Sequence, residues 1–251
     1  LDKENSSNQI KVLSKIVSRF IGKKRIPMLI IDNNPKVIDR SNFNARSAAI
    51  IGFSIFGKDH TYLLDEKNKI NYNILNNFLQ KYKTQNFFIF GFTSKIFENL
   101  IEKLSYKKIK NNFAKGILLH GGGWKKMENK KIDNKKFKKK LYEKLKLMKI
   151  YNYYGLVEQT GSIFIECEKC GCFFTSIFSD IIIRDNNFKD LGENKKGLIQ
   201  ILSLLPTSYP GHSILTDDYG EIISKKECEC SKFGKRFRVY GRIKKSEIRG
   251  C

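Results

Sequence analysis

Five cysteines stand in two short-spaced groups, Cys167-x-x-Cys170-x-Cys172 and Cys228-x-Cys230. If the strands around them pair, the thiols come together, and four thiolates in tetrahedral array make a closed structural zinc site. One of the five is then surplus, and the spacing leaves open which of Cys170 and Cys172 is a ligand. The other reading is a set of separate reduced thiols. Glu158 follows Gly155 by three residues, after the aromatic run Tyr151-Asn152-Tyr153-Tyr154, where strand propensity favours an apolar side chain. An acid in that place is either a turn residue facing water or a functional carboxylate. Asp217 and Asp218, in Leu215-Thr-Asp-Asp-Tyr-Gly220, sit in an expected turn and are either solvated or able to hold a pair of hydroxyls. Gly121-Gly122-Gly123 between His120 and Trp124 either permits a tight turn or lets backbone approach a ligand closely, because glycine has no Cβ. His120 itself reads as a buried, hydrogen-bonded histidine.

The elements that must position these groups follow from hydrophobic period. Residues 5–8 offer cap residues, and Ile10, Leu13, Ile16, Val17 and Phe20 recur at helical spacing. Residues 27–32 read as a strand buried on both faces. Residues 48–56 fit helix or strand, 61–64 a short strand and 72–82 a helix. Residues 86–90 form a strand followed by a helix with Ile96, Phe97, Leu100, Ile101 and Leu104 on one face. The strand 116–120 leads into the glycines. Asp133 or Asn134 then caps a helix that turns Phe137, Leu141, Leu145 and Met148 inward and its lysines outward. This recurrence of strand, loop and helix predicts a mainly parallel sheet flanked by helices, with ligands at the carboxyl ends of its strands. After Gly161 short strands at 162–166, 173–178, 181–184, 198–202, 221–223 and 237–240 predict a smaller, mostly antiparallel β-rich part. The expected division is therefore 1–161 and 162–251.

Composition bounds the function. With 251 residues and 41% hydrophobic content the chain can bury a large core. The net charge of +23 invites a nucleic-acid reading, because clustered Lys and Arg neutralise phosphates. The excess is mostly lysine spread along the chain and mixed with Asn and Ile, apart from a dense run at 125–146, which disfavours nucleic acid as the partner. No run of 18 apolar residues predicts a membrane span. The opening residues lack a secretory pattern, so a cytoplasmic location is expected and the cysteines are read as thiols or metal ligands. The chain opens on Leu1 rather than Met, which suggests a fragment or a processed product.

Four stretches together carry a family resemblance. They are Ile117-Leu-Leu-His-Gly-Gly-Gly-Trp-Lys-Lys126, Tyr154-Gly-Leu-Val-Glu-Gln-Thr-Gly161, Ser203-Leu-Leu-Pro-Thr-Ser-Tyr-Pro-Gly-His-Ser-Ile-Leu-Thr216 and Gly241-Arg-Ile-Lys-Lys-Ser-Glu-Ile-Arg-Gly-Cys251. In this order they resemble the acyl-protein synthetase family, which includes the fatty-acid-activating component of bacterial luminescence systems and belongs to the adenylate-forming enzymes. The resemblance implies that ATP activates a carboxylic acid, expected to be a fatty acid, and that the acyl group passes to a thiol of the protein itself, of a partner protein or of CoA. It implies Gly121, Gly122, Gly123 and Tyr153 or Tyr154, with Gly155, for the adenine. It implies Glu158 for Mg²⁺, a hard cation suited to carboxylate oxygen, Asp218 for the ribose hydroxyls and Arg242 for ribose or phosphate. Lys244 or Lys245 stands where related enzymes hinge a small C-terminal domain. Cys251 lies in a stretch corresponding to the acyl-accepting cysteine of the luminescence members, and Arg249 would stabilise its thiolate. The family's phosphate-binding loop would lie just before residue 1, so the chain resembles the later two-thirds of such an enzyme. Other readings are an acyl-CoA ligase of the same superfamily and, from another class, a basic zinc-stapled binding module without catalysis.

Overall fold

The computed structural model describes residues 2–34, 45–124, 129–224 and 234–243. They cluster into two compact units, one drawn from Leu1–Val17 and Tyr153–Arg249 and the other from Ser18–Asn152. Helix α1 (Lys3–Ile21) and strand β5 (Lys149–Gly155) each run from one unit into the other. Asp2, rather than any of residues 5–8, caps α1, its Oδ1 accepting from the Asn5 amide at 2.7 Å.

In the unit 18–152 the predicted alternation of strand and helix is present. Strands β1 (Ile26–Ile30), β2 (Gly57–Tyr62), β3 (Phe87–Phe92) and β4 (Gly116–Gly121) are joined through helices α2 (Ala45–Ser54), α3 (Tyr72–Lys81) and α4 (Thr93–Ile96). A π-helical turn, Phe97–Lys103, continues α4. The strand order is β2-β1-β3-β4-β5, with β1 parallel to both β2 and β3 and β3 parallel to β4. β3 and β4 are buried at every position, which explains their unbroken apolar runs in place of an alternating pattern. One face packs Leu29, Phe87, Ile89 and Leu118 against Leu75, Leu79, Leu100, Phe137 and Leu141. On β3's other pleat, Phe90 stacks on Phe53 of α2 with ring centroids 4.5 Å apart.

The chain leaves β1 to one side for β2 and returns on its other side as β3, so the carboxyl ends of β1 and β3 form the switch point of this sheet. Asp32 lies just past β1, 1% exposed, and its Oδ1 accepts from Arg46 of α2 at 2.7 Å and from the Asn33 amide at 2.8 Å. Burial outweighs the Arg46 cation and holds this carboxyl above its ordinary value.

Helix α5 (Asn134–Leu145) is capped by Asp133, whose side chain accepts from the Lys136 amide at 2.8 Å. Phe137, Leu141 and Leu145 are buried as the spacing predicts, but Met148 is 74% exposed. The helix stops at Lys146, which adopts a left-handed φ of 58°, so the residue after the next no longer shares the buried face.

In the other unit Tyr153–Gly155 of β5 pairs antiparallel with β6 (Ile163–Ile165). The remaining strands are β7 (Phe173–Phe174), β8 (Ser179–Arg184), β9 (Lys196–Ser203), β10 (Ser213–Ile223) and β11 (Arg236–Arg242). They form an antiparallel sheet in the order β7-β11-β10-β9-β8. Strict alternation of buried and half-buried residues along β8 and β9 places Ile181, Ile183, Ile199 and Ile201 in a core with Phe164, Phe173, Ile222 and Phe237. Asp217 and Asp218 lie within β10, not in the turn expected from their neighbours, because register shifts at Leu215/Tyr219 and Tyr219/Gly220 break the strand's alternation there.

Gly220 makes this close pairing feasible. A Cβ at that position would lie 2.4 Å from the Arg238 carbonyl oxygen and 2.6 Å from Ile199 Cδ1. Gly220→Ala should therefore cost about 1–3 kcal/mol through overpacking against backbone, read as a lower urea midpoint with an unchanged slope.

Candidate functional site

The glycine loop in unit 18–152 hangs between two buried anchors. His120 is 1% exposed at the end of β4, and Trp124 is 8% exposed, its ring edge-on to Phe97 at 4.9 Å and to Phe137 at 6.1 Å. Between them Gly122 and Gly123 are exposed. Gly122 has φ +75°, which a side chain would strain, and among the described residues nothing lies within 4 Å of where a Cβ on Gly123 would stand. The loop thus presents bare backbone at the carboxyl edge of the parallel sheet.

Thr93, at the carboxyl end of neighbouring β3, fixes that edge. Its hydroxyl donates to the Gly121 carbonyl at 3.0 Å and lies 3.0 Å from His120 Nδ1. The single hydroxyl proton is used on the carbonyl, so His120 must carry its proton on Nδ1 and donate to Thr93. Nε2 is then an acceptor without a hydrogen-bond partner among the described residues. Burial, and secondarily the Lys138 cation, push this imidazole down to about 3, so it is neutral and serves as a rigid donor.

In the other unit the Tyr154 hydroxyl donates to Asp218 Oδ2 at 2.7 Å. Asp218 pairs across β10 and β11 with Arg242, whose Nε lies 3.9 Å from Oδ1. The Asp218 amide donates to Thr216 Oγ1 at 3.1 Å, and that hydroxyl donates to the Ile199 carbonyl at 2.7 Å. Desolvation, then the Asp218 carboxylate, raise the Tyr154 phenol well above its ordinary value, so it remains a donor. One carboxylate oxygen is thereby engaged, while the other lies beside a half-exposed cation.

Glu158 is exposed on a 3₁₀ turn, Val157–Gln159, directly after β5. Gln159 beside it is buried and donates from Nε2 to the Gly211 carbonyl at 2.6 Å. Tyr153, on the other pleat of β5, is half-buried, and burial raises its phenol too.

The cysteine hairpin is tight: Gly171, with φ +68°, donates to the Cys167 carbonyl at 2.9 Å, and the Cys167 amide donates to the Cys172 carbonyl at 2.8 Å. Cys167 and Cys172 are buried and Cys170 is half-buried. Among the described residues no group of three or more His, Cys, Asp or Glu is arranged to hold a metal. Cys228, Cys230, Lys244, Lys245 and Cys251 lie outside the described residues.

Sequence reasoning passed over Thr93, Gln9, Gln159, Thr216 and Tyr209, all of which hold site-bearing segments. The available signal was weak: Gln159 adjoins Glu158, while Thr216 and Tyr209 fall inside a quoted motif.

The family model for acyl-protein synthetase, LuxE, matches residues 1–251. The chain belongs to the LuxE acyl-protein synthetase family. No sequence of a curated protein matches it significantly. Its fold is that of solved adenylate-forming enzymes. An open conformation of 2-hydroxyisobutyryl-CoA ligase in complex with 2-HIB-AMP and CoA superposes with a TM-score of 0.66 at 14% identity, covering 94% of this chain and 53% of that one. ATP-bound MatB from Rhodopseudomonas palustris gives 0.58 at 11%, covering 94% and 44%. The luciferase-like enzyme from the nonluminescent mealworm Zophobas morio gives 0.58 at 15%, covering 96% and 53%. This LuxE-family chain thus spans about half the length of these structures. Among its described residues no helix is long and apolar enough to cross a membrane.

The buried His120 gives a pH signature. Its ordinary value of 6.5 falls to about 3 on folding, so between these limits the unfolded chain binds the extra proton. Its stabilising share is complete above pH 6.5 and is lost as pH falls, with a slope approaching about 1.4 kcal/mol per unit. Asparagine can supply a donor to Thr93 without titrating. Urea unfolding of His120→Asn should therefore lose less stability than wild type between pH 7 and about 5.

Proposed function

We propose that this LuxE-family chain is the nucleotide- and acyl-handling part of an ATP-dependent ligase that activates a carboxylic acid, a fatty acid in the first instance, and passes the acyl group to a thiol. A carboxylate oxygen attacks the α-phosphorus of ATP, pyrophosphate leaves, and a thiolate then takes the acyl group with AMP as the leaving group. The observation that carries this reading is Asp218. It has one oxygen held by Tyr154 and the other beside Arg242, an arrangement suited to accepting hydrogen bonds from a vicinal diol next to a phosphate.

The remaining residues fit ATP and Mg²⁺ by their chemistry. In unit 18–152, Gly122 and Gly123 offer exposed backbone suited to a planar base, with Gly121 fixed behind them; the assignment of Tyr153, Tyr154 and Gly155 to the same base is carried by the family resemblance. Glu158 is an exposed carboxylate on a braced turn, the oxygen donor a hard cation among phosphates requires. Arg242 would offset phosphate charge. Within this scheme 1–161 carries the α/β core and 162–251 the β-rich part, and the protein works in the cytoplasm. Cys251 is the proposed acyl acceptor, with a partner protein's thiol or CoA as the other acceptors. A label from fatty acid and ATP that is hydroxylamine-labile and lost in Cys251→Ser would assign it; labelling unchanged in that variant would exclude it.

Glu158→Gln in the complete natural protein should lower ATP–pyrophosphate exchange by on the order of 100-fold while far-UV circular dichroism stays unchanged. Exchange near wild type at saturating Mg²⁺ would remove Glu158 from the site. Nucleic-acid binding that falls with salt, with no exchange, would favour the basic binding module instead.

Cys167 and Cys172 flank the hairpin whose turn holds Cys170 and Gly171, and these three thiols with Cys228 and Cys230 are enough for a structural Zn²⁺. Protein purified without added metal should contain about one zinc per chain, and Cys228→Ser should lose both the metal and thermal stability. Five titratable thiols and no zinc would discard the site.

A further inference from the structure

The turn that bears Glu158 is held by side chains distant in sequence. The Tyr209 hydroxyl lies 2.5 Å from the Glu158 carbonyl oxygen and 3.1 Å from Gln9 Nε2. A carbonyl can only accept, so the phenolic proton goes to Glu158 and the hydroxyl must in turn accept from Gln9. This fixes the Gln9 amide with its nitrogen toward Tyr209. The same nitrogen donates to Asn5 Oδ1 at 3.2 Å, and Gln9 Oε1 is buried without a partner among the described residues. Asn5, one turn earlier on α1, donates to the Leu205 carbonyl at 2.5 Å and to Thr207 Oγ1 at 2.9 Å. Both Asn5 and Gln9 are 1% exposed.

Packing is built around this brace. A Cβ on Gly211 would come within 2.1 Å of the Tyr209 ring, and a Cβ on Gly161 within 3.0 Å of the Gln9 carbonyl oxygen and 2.5 Å of Leu205 Cδ1. The Glu158 carbonyl is thus tied to Tyr209 and the Gln159 side chain to the Gly211 carbonyl, while the Glu158 side chain faces outward.

We propose that Tyr209, set by Gln9, is a positioning residue that aims the Glu158 carboxylate. This rests on the reading of Glu158 as the carboxylate that holds Mg²⁺. A 3₁₀ turn has softer hydrogen bonding than an α-helix, and a displacement of about 1 Å in a catalytic group is enough to cost much of its effect. Losing the hydroxyl frees the Glu158 peptide to rotate and swings the carboxylate with it, while the rest of the turn stays packed.

The test is ATP–pyrophosphate exchange by the complete natural protein as a function of Mg²⁺ concentration. Tyr209→Phe keeps the ring against Gly211 and removes only the hydroxyl. It should raise the half-saturating Mg²⁺ concentration by about tenfold with the rate at saturating Mg²⁺ largely recovered. Gln9→Met, which keeps volume and removes the donor, should give a smaller shift of the same kind, and the double variant should show no further shift beyond Tyr209→Phe, since both act through one contact. Should Tyr209→Phe fold poorly, Gln9→Met alone reads the same shift. Unchanged Mg²⁺ dependence in both single variants, with Glu158→Gln inactive, would overturn the positioning role and leave the role of Glu158 standing. Wild-type exchange and Mg²⁺ dependence in Glu158→Gln would overturn both.

Discussion

The constraint that recurs beside the site residues described here is a backbone carbonyl, buried in every case but that of exposed Glu158, that a side chain must close. Leaving such a group unpaired costs about 1–3 kcal/mol, and here a side-chain donor closes it in one loop after another. Thr93 serves Gly121, Tyr209 serves Glu158, Gln159 serves Gly211, Asn5 serves Leu205 and Thr216 serves Ile199. Each donor removes a desolvation penalty and at the same time fixes a peptide plane. Stability and site geometry therefore come from the same hydrogen bonds, and in each unit the polar braces lie next to residues whose own side chains or bare backbone point outward.

How much of this could be read from the sequence follows from which signals are periodic. The apolar runs of β3 and β4, the alternation of β8 and β9, the buried stripe of α5 and its Asp133 cap all follow regular periods, and the structure has them where the residues predict. Termination was harder. Lys146 ends α5 in a left-handed conformation that glycine or asparagine would have advertised and lysine does not, so Met148 reads as inward and is exposed. The register shifts in β10 hide Asp218 in a strand, because a bulge interrupts the period-two pattern that would identify one. The π-turn after α4 still buries Phe97, Leu100 and Ile101, since one extra residue per turn leaves neighbouring positions on nearly the same face.

The polar braces were illegible for a different reason. Asn5 and Gln9 lie four apart on a helix whose apolar stripe is plain, and by composition alone they belong to its wet face or its cap. Only tertiary packing, with Gly161 and Leu205 pressed onto the helix, turns them into buried donors. Net charge was similarly mute about the site. The lysines of α5 surround a buried face and say nothing about chemistry, whereas Asp32 and Asp218 matter through one arginine neighbour each.

Several of the residues given roles here stand where regular structure is interrupted. Gly121 makes the last pair of β4 and Gly122 and Gly123 follow it, Glu158 follows the end of β5, and Asp218 occupies the irregular stretch of β10. Within a regular strand the backbone is consumed by its neighbours and side chains are committed to one face or the other. At an interruption, backbone and side chain become available together, but only if something else supplies the order that the ladder no longer does. Sequences break local rules mainly where function asks for it, and such breaks persist only when neighbouring groups over-determine the conformation. In this chain that work falls to a small set of hydroxyls and amides. It explains why an acid, three glycines and a bulge, each weak as a signal on its own, occur in the company of buried Thr93, Gln159 and Gln9.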